Sequence, residues 1–242
     1  MKSFKRYNEE VTKEVVFTFG RFNPPHIGHE KVMQSIAKMA SGDYKIFASQ
    51  SNNPKKDPLE YKEKVIILRK MFPKYARNII LDTSLKSIFN IAVYLYDQGY
   101  TDITMVVGDD RIKEFKTLLP KYNNVKARHG YYKFNSIKFV SAGKRDADAE
   151  DVTGMSASKM RAAVTSGDFR AFSDGIPKAY GKSLELFNLL RKRMGLEEMI
   201  NFRKHIELET TDMRERYVAK EVFLEGDEFI NQKNETLTVI ER

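Results

Sequence analysis

The stretch "EVVFTFGRFNPPHIGH" (14–29) decides the fold. Its first half, "EVVFTFG" (14–20), is apolar, β-branched and aromatic and ends at a glycine, which predicts a short, fully buried strand. From His29 the period changes, and Val32, Ile36, Met39 and Ala40 fall on one helical stripe. Strand, glycine turn, helix is the opening of a βαβ unit. The turn itself is unusual, because two of the chain's four histidines, His26 and His29, bracket Gly28 there.

The alternation repeats downstream. Strands are predicted over 44–49, 78–82, 102–108 and 136–142. A helix follows the loop "NNPKKDP", with Asp57 as cap, Pro58 at its first position, Glu60 in its first turn, and Tyr61, Val65, Leu68 and Phe72 inward. Another starts at Ser84, buries Ile88, Ala92 and Leu95, and stops at Gly99. "RIKEFKTLL" is a further helix. Strands separated by helices imply an α/β fold with a five-stranded parallel sheet covered on both faces. Residues 156–168 and 178–195 read as a helical segment, the latter with Tyr180, Leu184, Phe187 and Leu190 on one face. After residue 196 the texture shifts to short alternating stretches around "EGD" and "NQKNE", which predict two or three small antiparallel strands. The expected organisation is an N-terminal arm (1–13), a main domain (14–196) and a small β appendage (197–242), an incomplete module or one that pairs with another chain.

Composition narrows the function. The chain has 242 residues, no cysteine and a net charge of +9, so disulfides and cysteine-based zinc sites are excluded. No apolar run approaches the roughly 18 residues of a membrane span, and the N-terminus lacks a signal-peptide core; the expected compartment is the cytoplasm. The basic charge is interleaved with glutamate rather than massed, which favours phosphorylated small molecules over nucleic acid.

Three segments then carry chemistry. In "GRFNPPHIGH", Gly20 is expected to let the chain turn and Gly28 to open the helix to a ligand. The helix N-terminus would offer N–H groups to an anion. His26 and His29 would add donors able to follow charge on a phosphoryl oxygen, and Arg21 and Lys31 would add cations. In "TGMSASKMR" (153–161), Ser156 caps a helix on which Ser158 and Arg161 share a face beside Lys159, a cradle for a polyphosphate. In "VVGDDR" (106–111), Gly108 permits close approach, and Asp109 or Asp110 accepts from a ribose or amide or caps the next helix.

Together His26-Ile27-Gly28-His29 and Met155-Ser156-Ala157-Ser158-Lys159-Met160-Arg161 resemble the HxGH and SSTxxR-like motifs of the nucleotidyltransferase superfamily. "GRFNPPHIGHEKVM" is most similar to the opening of archaeal-type nicotinamide mononucleotide adenylyltransferases; "SQSNNPKKDPLEYKEKV" is similar to their polar loop and NPF-type helix start, and Gly108 and Asp110 to their Gly-x-Asp element. The resemblance covers about residues 14 to 170, and departs from the pattern at Asn23, Ala157 and Ser158. It implies a Rossmann-like fold and transfer of AMP from ATP to a mononucleotide, nicotinamide mononucleotide before others, giving NAD and pyrophosphate. It implies that His26 and His29 donate to the α- and β-phosphoryl oxygens, and that Ser156, Ser158 and Arg161 hold the β- and γ-phosphates. Gly20, Arg21, Phe22, Asn23, Gly28 and Lys159 complete the ATP subsite, and Gly108, Asp109 and Asp110 serve the acceptor. Mg2+ is expected to arrive with the triphosphate rather than in a protein cage.

Alternatives remain at this point. The acceptor could be pantetheine phosphate, flavin mononucleotide, or an alcohol phosphate used with CTP. A class I aminoacyl-tRNA synthetase fits "HIGH" and "SASKM" superficially, but no tRNA-reading domain is expected. A non-catalytic nucleotide sensor or structural protein that kept the fold, with the β tail as docking element, is the third; homo-oligomers are compatible with any of these readings. The tail's texture is similar to small β modules of large tailed bacteriophages, which would place the protein in a host cytoplasm.

Overall fold

β1 (Glu14–Gly20) lies at the centre of a five-stranded parallel sheet in the computed structural model, which describes residues 12–142, 155–196, 228–230 and 236–238. α1 (Ile27–Met39), β2 (Asp43–Ala48), α2 (Tyr61–Met71), a 3-10 turn (Pro73–Asn78) and β3 (Ile79–Ile80) follow. Next come α3 (Ile88–Asp97), β4 (Asp102–Val107), α4 (Asp109–Lys121) and β5 (Ser136–Ser141). The sheet order is β3-β2-β1-β4-β5, so the chain turns back between β1 and β4, the place where open α/β sheets bind ligands.

Register opens that place. β1 pairs with β2 along its whole length, to Gly20↔Ala48, but with β4 only from Glu14↔Asp102 to Phe17↔Met105. Beyond Phe17 the two central strands part. Their last residues, Thr18 to Gly20 and Val107, border a crevice at the carboxyl edge.

The side-chain period of two sorts β1 between two cores. Val15, Phe17 and Phe19 join Ile103, Met105 and Val107 in one cluster, with Ile88, Ile91 and Leu95 of α3 and Phe115 and Leu119 of α4. α1 packs against β1, β2 and β4. Each large apolar side chain buried this way contributes about 1.5–3 kcal/mol.

Several expectations shift by a residue or a turn. The inward stripe of α1 is His29, Met33 and Ile36, while Met39 is 45% exposed and Val32 lines the crevice. The reason is that His29 is itself a buried member of the stripe, so the stripe lies one residue further round. α2 begins only at Tyr61, because Asn53 and Asp57 close a small loop by reciprocal backbone bonds of 2.9 and 2.8 Å. α3 is capped by Ser87, whose side chain accepts from Asn90 N–H, whereas Ser84 bonds Asp82. β3 is shorter than 78–82, since β2, its neighbour among the described residues, pairs with it only through Ile79 and Ile80.

Beyond the sheet stand α5 (Ala157–Ser166), α6 (Phe169–Asp174), a 3-10 turn (Lys178–Tyr180) and α7 (Ser183–Arg193). Sequence reading missed α6, a short helix capped by Asp168. It also joined two elements into one: Gly181 takes a left-handed φ of 65° and separates the 3-10 turn from α7. In consequence α7 turns Leu186, Phe187 and Leu190 inward and leaves Leu184 41% exposed. Arg191 Nη1 donates to Val164 O at 2.9 Å, and Arg193 pairs with Glu60 at 2.9 Å, so α7 ties α5 to the start of α2.

The chain divides into two compact units, Met1–Leu196 and Glu197–Arg242. In the second, β6 (Glu228–Ile230) and β7 (Thr236–Thr238) pair antiparallel. Most of the arm expected over 1–13 and residues 143–154, including Thr153 and Gly154, lie outside the described residues. Among the described residues no helix is long and apolar enough to cross a membrane.

Candidate active site

The histidine pair builds a helix cap. His26 is the N-cap of α1, and its Nδ1 accepts from Gly28 N–H at 3.1 Å. His29 returns the favour: its Nδ1 accepts from His26 N–H at 3.1 Å. This is the reciprocal geometry of a capping box, written with imidazoles. Each ring uses its Nδ1 lone pair on a backbone N–H, so the proton of the neutral ring is assigned to Nε2 in both. The rings lie 3.8 Å apart, and both residues are buried, at 4% and 8% exposure.

Gly28 is explained by the same contact. A Cβ there would sit 2.8 Å from His26 Cε1 and 3.0 Å from its Nδ1. The space is taken by the imidazole, rather than being kept open for a ligand. Gly20 is likewise constrained by a ring: its Cβ would lie 2.9 Å from Phe22. Phe22 has a left-handed φ of 47°, costly for a bulky side chain. Its ring is held between Gly20 and His29, whose centroid is 4.8 Å away.

The expectation that α1 offers open N–H groups to an anion is not met at its first three positions. Ile27 N–H donates to Gly175 O at 2.9 Å, Gly28 N–H to His26 Nδ1, and His29 N–H to His26 O at 2.9 Å. Anion binding at this end therefore falls to side chains.

The two motif segments meet. Arg161 of α5 donates from Nη1 to Asn23 O at 2.7 Å and from Nη2 to Ser158 Oγ at 3.2 Å. Burial pulls its guanidinium below the ordinary value; Asp57 opposes that and Arg21 adds to it. Asn23 is buried, and its side-chain amide is spent on Leu59, donating to the carbonyl at 3.1 Å and accepting from the N–H at 3.0 Å. It thus joins the first loop to the approach to α2, a structural task it holds while lining the crevice.

One crevice collects these groups. It is lined by Arg21, Phe22, Asn23 and His29 from the first loop and α1, Lys56 and Asp57 from the loop before α2, and Gly108 and Arg111 from the β4–α4 junction. Ala157, Ser158 and Arg161 of α5 close it. Ser156 caps α5, accepting from Lys159 N–H at 3.2 Å, and stands outside this lining, as do His26, Gly28, Lys159 and the exposed Lys31. His26 acts on the crevice through the ring of His29 against it. Asp109 and Asp110 occupy the first two positions of α4, behind the N-cap Gly108, and their side chains lie outside the described set.

Sequence reading missed Lys64 and Arg111. Lys64 is wholly buried in α2, and its Nζ has no hydrogen-bond partner among the described residues. Burial pushes its ammonium down to about 8, with Asp57 holding it up and Arg21 pushing it further down. Both of those neighbours line the crevice. The signal was present: Lys64 lies three residues after Tyr61 and four before Leu68, on the apolar stripe itself.

The resident chemistry is thus a cationic crevice at a sheet switch point, walled by His29 in the first turn of α1 and a serine–guanidinium pair on α5. The family model for cytidylyltransferase-like proteins matches residues 17–163, and the chain belongs to that family of the nucleotidyltransferase superfamily. A protein of Thermosipho melanesiensis described as a nicotinate-nucleotide adenylyltransferase is 28% identical over 108 residues, 42% of this chain and 54% of that one. The chain thus spans about half the length of this curated relative. Two solved structures are also similar. One, described as a nicotinate-nucleotide adenylyltransferase of Vibrio parahaemolyticus, is 16% identical, with a TM-score of 0.46 over 73% of this chain and 99% of that one. The other, a bifunctional NMN adenylyltransferase/ADP ribose pyrophosphatase of Francisella tularensis, is 10% identical, with a TM-score of 0.47 over 88% and 58%.

Proposed function

We propose that the chain transfers AMP from ATP to the phosphate of a pyridine mononucleotide. The convergence of His29, Arg21, Ser158 and Arg161 on one crevice carries this reading. The resemblance of the motifs points to nicotinamide mononucleotide, and the curated relative is described by its nicotinate counterpart; the bond made is the same.

An oxygen of the acceptor phosphate attacks the α-phosphorus of ATP in line. The bond from that phosphorus to the bridging oxygen breaks, and pyrophosphate leaves with the electron pair. The attacking oxygen is already anionic, so no general base is needed, and catalysis is positioning plus charge stabilisation. His29 Nε2–H, fixed by the bond at its Nδ1, donates to the phosphoryl oxygens as charge builds. His26 holds the turn that aims it. Arg161 and Ser158 hold the leaving phosphates, and Arg21 and the buried Lys64 add positive charge behind them. Asp57, buried on the crevice wall, is a hard oxygen donor that suits a hydrated Mg2+ carried in on the triphosphate. That ion, when bound, screens the phosphate charge.

The test is a pyrophosphate-release screen of ATP and CTP against pyridine mononucleotides, flavin mononucleotide, pantetheine phosphate and alcohol phosphates. Turnover is expected with ATP and a pyridine mononucleotide. Turnover confined to CTP or to another acceptor would replace this reading, and ATP binding without turnover would make the protein a nucleotide sensor.

A further inference from the structure

The phosphate assignments leave two crevice cations, Lys56 and Arg111, without a task, and Arg111 is the one that stands beside aromatic rings. Arg111, in the first turn of α4, lines the crevice with Val107 and Gly108 from the β4–α4 junction, whereas Ser158 and Arg161 reach it from α5. Its guanidinium lies 4.7 Å from the ring centroid of Phe115 and 6.0 Å from that of Phe19. Its ion pair with Glu114 is long, 3.8 Å, and the glutamate is 55% exposed. A pair of that length in water holds a guanidinium loosely. Its cation stands over the Phe115 ring, and a guanidinium carries a planar fork of N–H donors.

In-line displacement puts the attacking acceptor and the leaving pyrophosphate on opposite sides of the α-phosphorus. With pyrophosphate held on α5, the acceptor enters from the β4–α4 side, where Arg111 stands. A guanidinium has donors and no acceptor. It matches both oxygens of a carboxylate, whereas a carboxamide sets its own NH2 donors against the fork.

We propose that Arg111 reads a carboxylate on the acceptor's ring, so that the acid mononucleotide is the substrate in preference to its amide. The proposal rests on the adenylyl-transfer reading above. Its test compares kcat/KM for nicotinate and nicotinamide mononucleotides at saturating MgATP, in the wild type, Arg111→Gln and Arg111→Lys, with thermal melts to follow folding. The wild type should prefer the acid. Arg111→Gln should lower the acid-to-amide ratio about 10- to 100-fold, as loss of a charged two-point contact does. Arg111→Lys, with charge but no fork, should fall between. An unchanged ratio in Arg111→Gln, whatever happens to the individual rates, would assign Arg111 to a group shared by both acceptors and overturn the proposal, as would a wild type that prefers the amide. If the wild type releases pyrophosphate with neither, the adenylyl-transfer reading itself fails and takes the proposal with it.

Discussion

Arg161 on α5 donates to the backbone carbonyl of Asn23 at 2.7 Å, across 138 residues of sequence. That bond closes the crevice, since the same guanidinium reaches Ser158 and stands among the groups that would meet a triphosphate. Arg161→Ala should therefore raise KM for ATP about 10- to 100-fold, the worth of a charged hydrogen bond, with a smaller effect on the acceptor. Arg161→Lys should recover only part, because a single ammonium cannot span the two acceptors. Initial-rate kinetics with each substrate varied in turn decide it; equal rises in both KM values would contradict the assignment.

The imidazole capping box separates stability from catalysis. His26→Ala removes the cap of α1, which should cost roughly 1 kcal/mol and lower the melting temperature, and it should also slow turnover. His26→Asn keeps a short side chain that accepts from the helix N–H groups. It should restore most of the melting temperature but not the rate. His29→Ala should cut kcat by about 100-fold, the loss expected for one transition-state donor. A fully active Asn variant would show that the ring at 26 serves only as a cap.

Gly28→Ala isolates the position of the ring. Alanine is the better helix former by about 1 kcal/mol in a helix interior. Here its methyl would lie 2.8 Å from His26 Cε1, so the imidazole must swing away and the bond to Gly28 N–H must break. Turnover should fall about 10-fold or more with the protein still folded, a misplacement effect rather than an unfolding one. Circular dichroism and kcat on the same sample provide the comparison, and wild-type kcat would count against a positioned ring.

Much of this was legible in residues 14–29. Strand β1 was readable to the residue because its apolar run ends at a glycine, and the five-strand order of elements follows from alternation of period. The approach of the two motifs was readable as an expectation, because both follow strands at one sheet edge. What failed did so for physical reasons. His29 counts as polar in a pattern and yet is buried, which rotated the predicted face of α1 and exposed Met39. The amides of α1 counted as open until His26 and Gly175 were seen to occupy them. The tie from Asn23 to Leu59 was missed because it spans 36 residues, a contact no local pattern encodes. Arg111 stood three residues past Gly108 in a quoted motif, and only the parting of β1 from β4 gave it a crevice to face.

Lys64 makes stability and affinity oppose one another. Its ammonium is buried without a hydrogen-bond partner among the described residues and titrates near 8, against an ordinary 10.5. Below pH 8 it is charged in both the folded and unfolded chain, and the folded protein bears the full cost of burying the charge. Between about pH 8 and 10.5 the folded chain gives up this proton before the unfolded one does. The unfolded state then binds more protons, so the contribution of this group to stability rises with pH across that window, by the order of 3 kcal/mol at its upper end. Lys64→Met keeps the shape and removes the charge. It should melt higher than the wild type at pH 7 and lose the rise between pH 8 and 10.5, while ATP binding weakens because the phosphates no longer find the buried cation. ATP phosphates would add to the counter-charge of Asp57, so binding near pH 9 should take up a proton, seen as a buffer-dependent heat in titration calorimetry. A Lys64→Met protein that melts lower at pH 7, or that binds ATP undiminished, would place the ammonium in the packing of α2 and not in the crevice.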